Sequence, residues 1–262
     1  MNSFSTEAWT FLALGIVTIL IRTYARWRLV RWKGLWIDDY LMLLVIIPYA
    51  IETTLAHIVA TSAHGLANSG MTDEERAGLS PDSDEYRWRV LGSKIQVAGW
   101  SMYVTVLWMI KAAWCAFYLR LTGGLFGYHT RLMIGFVAIV VTYLAVLLSI
   151  LFGCTKMSKN WQIYPDPGNL CQPALSKLDI FMTITLNIST DAYLVLTPIP
   201  ILWCAKLPVI KKIGLIVLFS GAIFVMIAGV LRCILILMVG RYRNPDSTPA
   251  IHAKLRINDR PV

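Results

Sequence analysis

The stretch LMIGFVAIVVTYLAVLLSILFG, at residues 132–153, decides the fold class of this protein. It is 22 residues long and contains no charged residue. A helix of that length rises about 33 Å, which matches the roughly 30 Å thickness of the hydrocarbon core of a bilayer. The stretch therefore predicts a helix that crosses a membrane.

Five further apolar stretches have the length and composition of membrane spans, at residues 5–25, 39–62, 93–121, 178–203 and 213–238. With the first stretch they predict an all-α membrane protein, a polytopic bundle of six transmembrane helices. We expect a single transmembrane domain over residues 1–240 and a polar C-terminal tail over residues 241–262.

The composition supports this fold class over the whole chain. Of 262 residues, 57% are hydrophobic and 15% are charged, whereas soluble proteins have roughly 45–50% apolar and about 25% charged residues. A water-soluble fold of this size could not bury so much apolar surface, which excludes ordinary soluble enzymes. The net charge of +9 is concentrated at the ends of the apolar stretches, so we expect a lipid bilayer as partner and no nucleic acid.

The charged loops predict the orientation of the helices. Five basic residues lie at and just after the end of the first span, namely Arg22, Arg26, Arg28, Arg31 and Lys33. Basic loops are retained on the cytoplasmic side, so the N-terminus should lie outside. The connection at residues 63–92 carries six acidic residues and falls on the outer side in the same orientation. We expect an integral, multi-pass protein of the plasma membrane.

The acidic outer loop contains two helix-start signals. Thr72 and Glu75 have the spacing of a capping box, and Gly78 would end the short helix that they begin. Ser80-Pro81 then predicts that the third long helix begins above the membrane. Otherwise we expect this loop to be a solvated lid without a specific ligand.

Cys154 and Cys171 flank the next outer loop. Because the outer face is oxidising, we predict a disulfide between them, which would contribute about 3 kcal/mol in the chain-entropy model. The other cysteines, Cys115, Cys204 and Cys233, lie within or at the inner ends of helices, where packing is their expected role.

Asp38 and Asp39 stand where the second helix begins at the cytoplasmic interface. Carboxylates at that position cap free backbone amides, favour the positive end of the helix dipole and can contact the arginines of the same loop. The chemical alternative is a magnesium-diphosphate site of the DDxxD type. Met42 occupies the place of the third acid, which favours capping.

Ionisable side chains inside the apolar stretches are the candidate functional residues, because charges are costly in lipid and usually face a bundle interior or a wet cavity. Counting along the helices predicts one midplane polar cluster, made of Glu52, Lys111, Asn187 and Asp191, with His57 and Arg232 nearer the outer side. Two interpretations remain open: an ion-pair network that fixes helix register, and the lining of a ligand or substrate site.

Several short motifs occur in a fixed order along the chain. They are RTYAR at 22–26, GLWIDDY at 34–40, KAAWCAFYLR at 111–120, Cys154, Trp161 and Cys171 in an outer loop, NISTD at 187–191, PIP at 198–200, and Gly221 and Arg232. In this order and spacing, over about residues 8–240, the chain resembles the fungal rhodopsin-like family of integral membrane proteins. That family includes receptor-like members and members encoded among secondary-metabolite genes.

The resemblance implies seven helices, whereas the apolar stretches here end with the sixth. We therefore expect either a shortened member or a C-terminus that derives from an altered reading of the gene. A retinal chromophore needs a Schiff-base lysine, usually in the last helix, and the buried candidate here is Lys111 in the third. We expect no retinal, no other cofactor and no metal.

Two functions from different classes fit these residues. The first is a receptor-like, non-enzymatic protein that senses a small lipophilic ligand through a polar midplane cavity. The alternative is a membrane-embedded enzyme or accessory protein of fungal secondary-metabolite biosynthesis, in which Glu52 or Asp191 protonates a lipophilic precursor to start cyclisation. Lys111 favours the first, because a nearby cation stabilises ionised carboxylates. G-protein coupling is unsupported, because no acid precedes Arg120 in Tyr118-Leu119-Arg120.

Overall fold

The computed structural model of the protein describes residues 3–122, 128–173 and 175–198, together with Ile227 and Leu231. Regular structure in these ranges is helical throughout, which confirms the all-α fold class. The α-helices are α1 (Ser3–Val30), α2 (Ile37–Thr61), α3 (Asp73–Gly78), α4 (Asp84–Leu121), α5 (Tyr128–Phe152) and α6 (Lys177–Leu196). Short 3-10 turns occupy Trp32–Gly34, Met157–Trp161 and Asn169–Cys171.

Four of the described helices, α1, α2, α4 and α5, are long and apolar enough to cross a membrane. The α6 helix lies where the fifth span is predicted, but it carries Asp179 and Asp191 and is not among the four. The sixth predicted span, at 213–238, and the polar tail at 241–262 lie outside the described residues. A membrane protein of helical architecture is confirmed, and a total of six spans stays a prediction.

Local side-chain chemistry sets the ends of the two helices in the acidic loop. The backbone N–H of Glu75 donates to the Thr72 hydroxyl at 3.3 Å, and the Glu75 carboxylate accepts from the Thr72 N–H at 2.9 Å. The short helix α3 therefore has the predicted capping box. The predicted start of the next helix at Pro81 is wrong, because the Ser83 hydroxyl accepts the Tyr86 N–H and α4 begins after it.

The long helix α4 is the central element of the described bundle. Its 38 residues span about 57 Å, almost twice the thickness of the hydrocarbon core. It packs against α2, α5 and α6. The buried core along it consists of Val97, Val104, Trp108, Cys115 and Tyr118 of α4, Leu132, Ile139, Val146 and Ile150 of α5, and Leu194 of α6. Every polar cluster described below has a member on α4 or a contact to it.

Two glycines allow helices to approach each other closely. A Cβ atom at Gly135 of α5 would lie 2.7 Å from the Tyr193 ring of α6. At Gly15 of α1 it would lie 3.0 Å from the Tyr49 ring of α2. A larger residue at Gly135 would therefore require the Tyr193 ring to move, and one at Gly15 would require a smaller adjustment of the Tyr49 ring.

Candidate functional site

The charge network at the start of α2 joins three helices. Asp38 and Asp39 are both fully buried, at 0% exposure. Asp38 contacts Arg22 of α1 at 2.7 Å and Arg120 of α4 at 2.8 Å. Asp39 contacts Arg22 at 3.2 Å and Arg26 at 3.6 Å. We call this end of the bundle the basic end.

Asp39 also occupies the capping position that the sequence indicates. Its carboxylate accepts a hydrogen bond from the Trp36 backbone N–H at 3.2 Å, at the N-terminus of α2. Arg22 and Arg120 each contact both aspartates, and Arg26 contacts Asp39. This arrangement fits helix capping and helix–helix attachment better than the binding of a magnesium diphosphate.

At the middle of the bundle, Lys111 of α4 forms an ion pair with Asp191 of α6. The Lys111 ammonium also donates to the backbone carbonyl oxygen of Asn187 at 3.0 Å. The Asn187 side-chain amide in turn donates to the second carboxylate oxygen of Asp191 at 3.2 Å. Lys111 is only 5% exposed and its Nζ lies 5.7 Å from the centre of the Trp108 ring. Three of the four residues of the predicted midplane cluster are thus in contact.

Glu52, the fourth, lies on the wall of a cavity of about 440 Å³ between α2 and α4. The walls are formed by Glu52, Leu55, Ala56, Val59 and Ala60 of α2, Gly65 after it, and Ile95, Gln96, Gly99, Trp100 and Tyr103 of α4. Lys111, Asn187 and Asp191 are not among these lining residues. That Glu52 belongs with the Lys111–Asp191 pair stays a prediction.

Of the two residues predicted nearer the outer side, His57 lies within the described part of the chain. The Nδ1 atom of His57 lies 3.3 Å from the Ser5 hydroxyl, and the His57 ring meets the edge of Trp9 at 6.0 Å between centroids. His57 therefore joins α2 to α1. Arg232 lies outside the described residues.

The loops at the opposite end of the bundle are bound to each other. We call residues 62–83 and 153–173 the cap. A disulfide joins Cys154 to Cys171, as predicted, with their Cα atoms 5.0 Å apart. The side-chain amide of Asn68 donates to the carbonyl oxygens of Asn160 at 2.9 Å and Cys171 at 3.1 Å, so the first loop is fixed to the disulfide-bonded loop.

Arg76 makes the second connection between the two loops. Its guanidinium donates to the carbonyl oxygens of Ile163 at 2.9 Å and Asn68 at 2.6 Å, and it lies 3.6 Å from the Asp166 carboxylate. Arg76 is 2% exposed and Asn68 is 0% exposed. The expectation of a solvated lid is therefore wrong at these residues, because buried side chains pair with the backbone of the other loop.

The cap is also attached to α4. The backbone N–H of Asn68 donates to the Ser93 hydroxyl at 2.8 Å, and Arg89 donates to the Ala67 carbonyl oxygen at 2.9 Å. Gly65, at the start of the cap, is one of the residues that line the cavity. The cap therefore borders the cavity from one end of the bundle.

The profile of the fungal rhodopsin domain matches residues 21–254 of the chain. The chain belongs to this family. No curated protein and no solved structure matches it.

The cap contacts of this fungal rhodopsin-domain protein were not predicted from its sequence. The sequence could have singled out Arg76, because it is the one lysine or arginine in residues 62–83, a segment with several acidic residues. No feature of the sequence points to Asn68, since its partners are backbone carbonyl groups, which every residue has. In the described part of the chain, no group of three His, Cys, Asp or Glu side chains is placed to hold a metal ion.

Proposed function

We propose that this fungal rhodopsin-domain protein is receptor-like and binds a small, lipophilic extracellular ligand in the cavity between α2 and α4. The observation that carries the proposal is the cavity itself, with a volume of about 440 Å³. Small-molecule sites typically measure roughly 300–1,000 Å³ and combine apolar walls with a few polar groups. Here Leu55, Val59 and Ile95 supply apolar wall, and Glu52 and Gln96 supply polar groups.

The position of α4 supports a receptor rather than a simple binding protein. One continuous helix carries Trp100 and Tyr103 at the cavity, Lys111 at the midplane ion pair and Arg120 in the network at the basic end. From Tyr103 to Arg120 the helix rises about 26 Å. A ligand that displaces α4 would therefore act on charge contacts at the other end of the bundle, as coupling between two sites requires.

The disulfide and the loop charges support an outer location for the cap. Disulfides persist in oxidising compartments, and the basic end carries the arginine-rich first loop that is typical of a cytoplasmic face. With this orientation the N-terminus and the cap that borders the cavity lie outside, and the plasma membrane is the membrane that we propose.

The enzymatic alternative needs a carboxylic acid that releases a proton to a lipophilic substrate. Asp191 does not suit this role, because both of its carboxylate oxygens are already engaged, one in the ion pair with Lys111 and the other by the Asn187 side-chain amide. Glu52 is the acid that a catalytic mechanism would have to use. The chemical fate of a bound compound therefore distinguishes the two functions.

The test is a screen of small lipophilic compounds by thermal unfolding of the purified full-length protein in lipid nanodiscs. A Gly99→Leu variant is the matched control, because Gly99 lines the cavity and a Cβ there meets nothing within 4 Å, so a larger side chain should take up part of the cavity. A ligand present at one hundred times its Kd stabilises the folded state by about 2.7 kcal/mol. We expect compounds that raise the Tm of the wild type and leave that of Gly99→Leu unchanged.

Compounds that raise the Tm of the wild type but not that of Gly99→Leu are then recovered and identified by mass spectrometry. A receptor returns them unchanged, whereas conversion to a product that disappears in Glu52→Gln would show the enzymatic alternative. If no compound distinguishes the wild type from Gly99→Leu, the cavity is not a ligand site and the proposed function is wrong.

A further inference from the structure

We infer that the exposed end of α1 and the turn after it bind the headgroups of anionic phospholipids. We call this surface, made of Arg28, Leu29, Arg31, Trp32 and Lys33, the α1 surface. It lies at the basic end of the bundle, and none of its residues lines the cavity. The inference therefore does not depend on the proposed ligand.

The basic side chains of this segment form two sets. Arg22 and Arg26 contact the buried aspartates at the start of α2 and are already paired. Arg28, Arg31 and Lys33 are exposed. Among the described residues, none of these three forms an ion pair. Three positive charges in six residues are therefore open to a partner.

The loops on this side of the bundle supply no exposed acid that could neutralise those charges. Between residues 8 and 51 the acids are Asp38 and Asp39, and both are fully buried. The two other loops predicted on the same side, at 122–131 and 199–212, contain no aspartate or glutamate. The tail at 241–262 is itself basic, with five Lys or Arg and two Asp. At a membrane surface, anionic lipids supply the missing counter-charge.

The position along α1 places these charges at the level of lipid headgroups. Residues 8–21 contain no charged side chain, so Arg22 marks the inner edge of the apolar part of the helix. Arg28 lies six residues further, which is about 9 Å along the helix axis. The headgroup region extends roughly 5–7 Å beyond the hydrocarbon core on each side. Arg28 and the turn after it therefore lie among phosphates rather than acyl chains.

Exposed apolar side chains lie between the basic ones. Leu29 is 78% exposed and Trp32 is 67% exposed, although tryptophan is usually well buried in proteins. The Trp32 ring lies 5.6 Å from the Trp27 ring between centroids. Tryptophan is enriched at membrane–water interfaces, because its body is apolar and its N–H is polar. Apolar side chains next to Lys and Arg are typical of surfaces that bind anionic membranes.

The basic residues also determine which headgroup is preferred. A guanidinium donates two parallel hydrogen bonds to one phosphate, and Arg28 and Arg31 each provide one. Phosphatidylcholine has a phosphate too, but its quaternary ammonium group cancels the net charge. Phosphatidylserine keeps a net negative charge, and each Lys or Arg near such a surface strengthens binding about fivefold. The α1 surface should therefore prefer phosphatidylserine.

The experiment uses the full-length protein in phosphatidylcholine vesicles that contain spin-labelled phosphatidylserine or spin-labelled phosphatidylcholine. Electron paramagnetic resonance measures the fraction of label whose motion the protein restricts, which gives a relative association constant for the two lipids. Both leaflets contain the probe, so the result does not depend on how the protein is oriented. The test variant is Arg28→Gln/Arg31→Gln/Lys33→Gln. The matched control, which removes the same charge at the cap end, is Lys156→Gln/Lys159→Gln/Lys177→Gln.

We expect the wild type to prefer phosphatidylserine and the variant of the α1 surface to lower that preference about fivefold or more. The cap-end variant should change it less than about twofold, because the acidic residues of the cap repel anionic lipid. If the triple variant of the α1 surface fails to fold, Arg28→Gln and Lys33→Gln are measured singly. Each should lower the preference about twofold or more.

Three results would overturn the inference. The first is a wild type without a preference for phosphatidylserine. The second is an equal loss in the two triple variants, or no loss in the variants of the α1 surface, because the preference would then come from overall charge or from another surface. The third concerns a soluble source of phosphate, tested by calorimetric titration of inositol hexakisphosphate into the protein in phosphatidylcholine nanodiscs. If the α1-surface variant loses this binding but keeps its preference for phosphatidylserine, the partner is a soluble phosphate and not a lipid.

Discussion

The pair of Lys111 and Asp191 places one positive and one negative charge inside an apolar bundle, where each charge alone would be costly. A buried ion pair adds little net stability compared with apolar residues, but breaking one side leaves an uncompensated charge. Asn187 links the two partners further, because its backbone carbonyl oxygen accepts from Lys111 and its side-chain amide donates to Asp191. The pair should therefore behave as a unit on mutation.

We predict that Lys111→Met alone lowers the free energy of unfolding by about 3–5 kcal/mol, because it leaves the partly buried Asp191 carboxylate without its cation. The double variant Lys111→Met/Asp191→Asn should recover part of that loss. The measurement is the yield of folded protein at the cell surface, followed by thermal unfolding in nanodiscs. Lys94→Met is the control, since Lys94 is an exposed lysine of the same helix and its loss should have little effect. Strictly additive effects of Lys111→Met and Asp191→Asn would contradict the pair.

The depth of these residues could be predicted from sequence, but their neighbours only in part. Counting at about 1.5 Å per residue places Glu52, Lys111 and Asp191 near the same level of the membrane. The count does not give the direction in which a side chain points around its helix, because that depends on how the helices pack. The contact between Lys111 and Asp191 and the position of Glu52 on the cavity wall therefore come from the structure.

At the scale of structural elements, the two loops of the cap are joined by side-chain contacts. Asn68 and Arg76 are buried between the two loops, and their side chains donate to five backbone carbonyl oxygens. Asn68 donates to those of Asn160, Gln162 and Cys171, and Arg76 donates to those of Ile163 and Asn68. The sequence indicates α3 and the disulfide, since capping boxes and cysteines have local signatures. Contacts to backbone carbonyl groups have no such signature, so the connection between the loops appears only in the structure.

We predict that Asn68→Ala loosens the cap without unfolding the helices. The substitution leaves two buried carbonyl oxygens without their donor, at a cost of about 1–3 kcal/mol. Amide hydrogen exchange should become faster in residues 62–83 and 153–173 and remain unchanged in the middle of α5. Ser69→Ala, at the next position, is the control. Equal exchange rates in Asn68→Ala and the wild type would show that the disulfide alone holds the loops.

At the scale of the whole molecule, charge is divided between the two ends of the bundle. The basic end holds Arg22, Arg26, Arg28, Arg31, Lys33, Arg120 and Arg131. The cap holds the disulfide and the acidic residues that follow Thr72. The helices α1, α2, α4 and α5 connect these ends. The orientation of any one of them therefore determines on which side of the membrane the cap, and the cavity beside it, lie.

We predict that the N-terminus and the cap face the outside of the cell. An epitope tag at the N-terminus, or inserted after Ser80, should be detected on intact cells, whereas a tag inserted after Gly123 should require permeabilisation. The physical reason is the retention of basic loops on the cytoplasmic side. Replacing Arg28, Arg31 and Lys33 by glutamate should therefore produce a mixed population in which part of the N-terminal tag is hidden. The reverse pattern of accessibility in the unmodified protein would place the cavity on the cytoplasmic side, and an extracellular ligand could then be excluded.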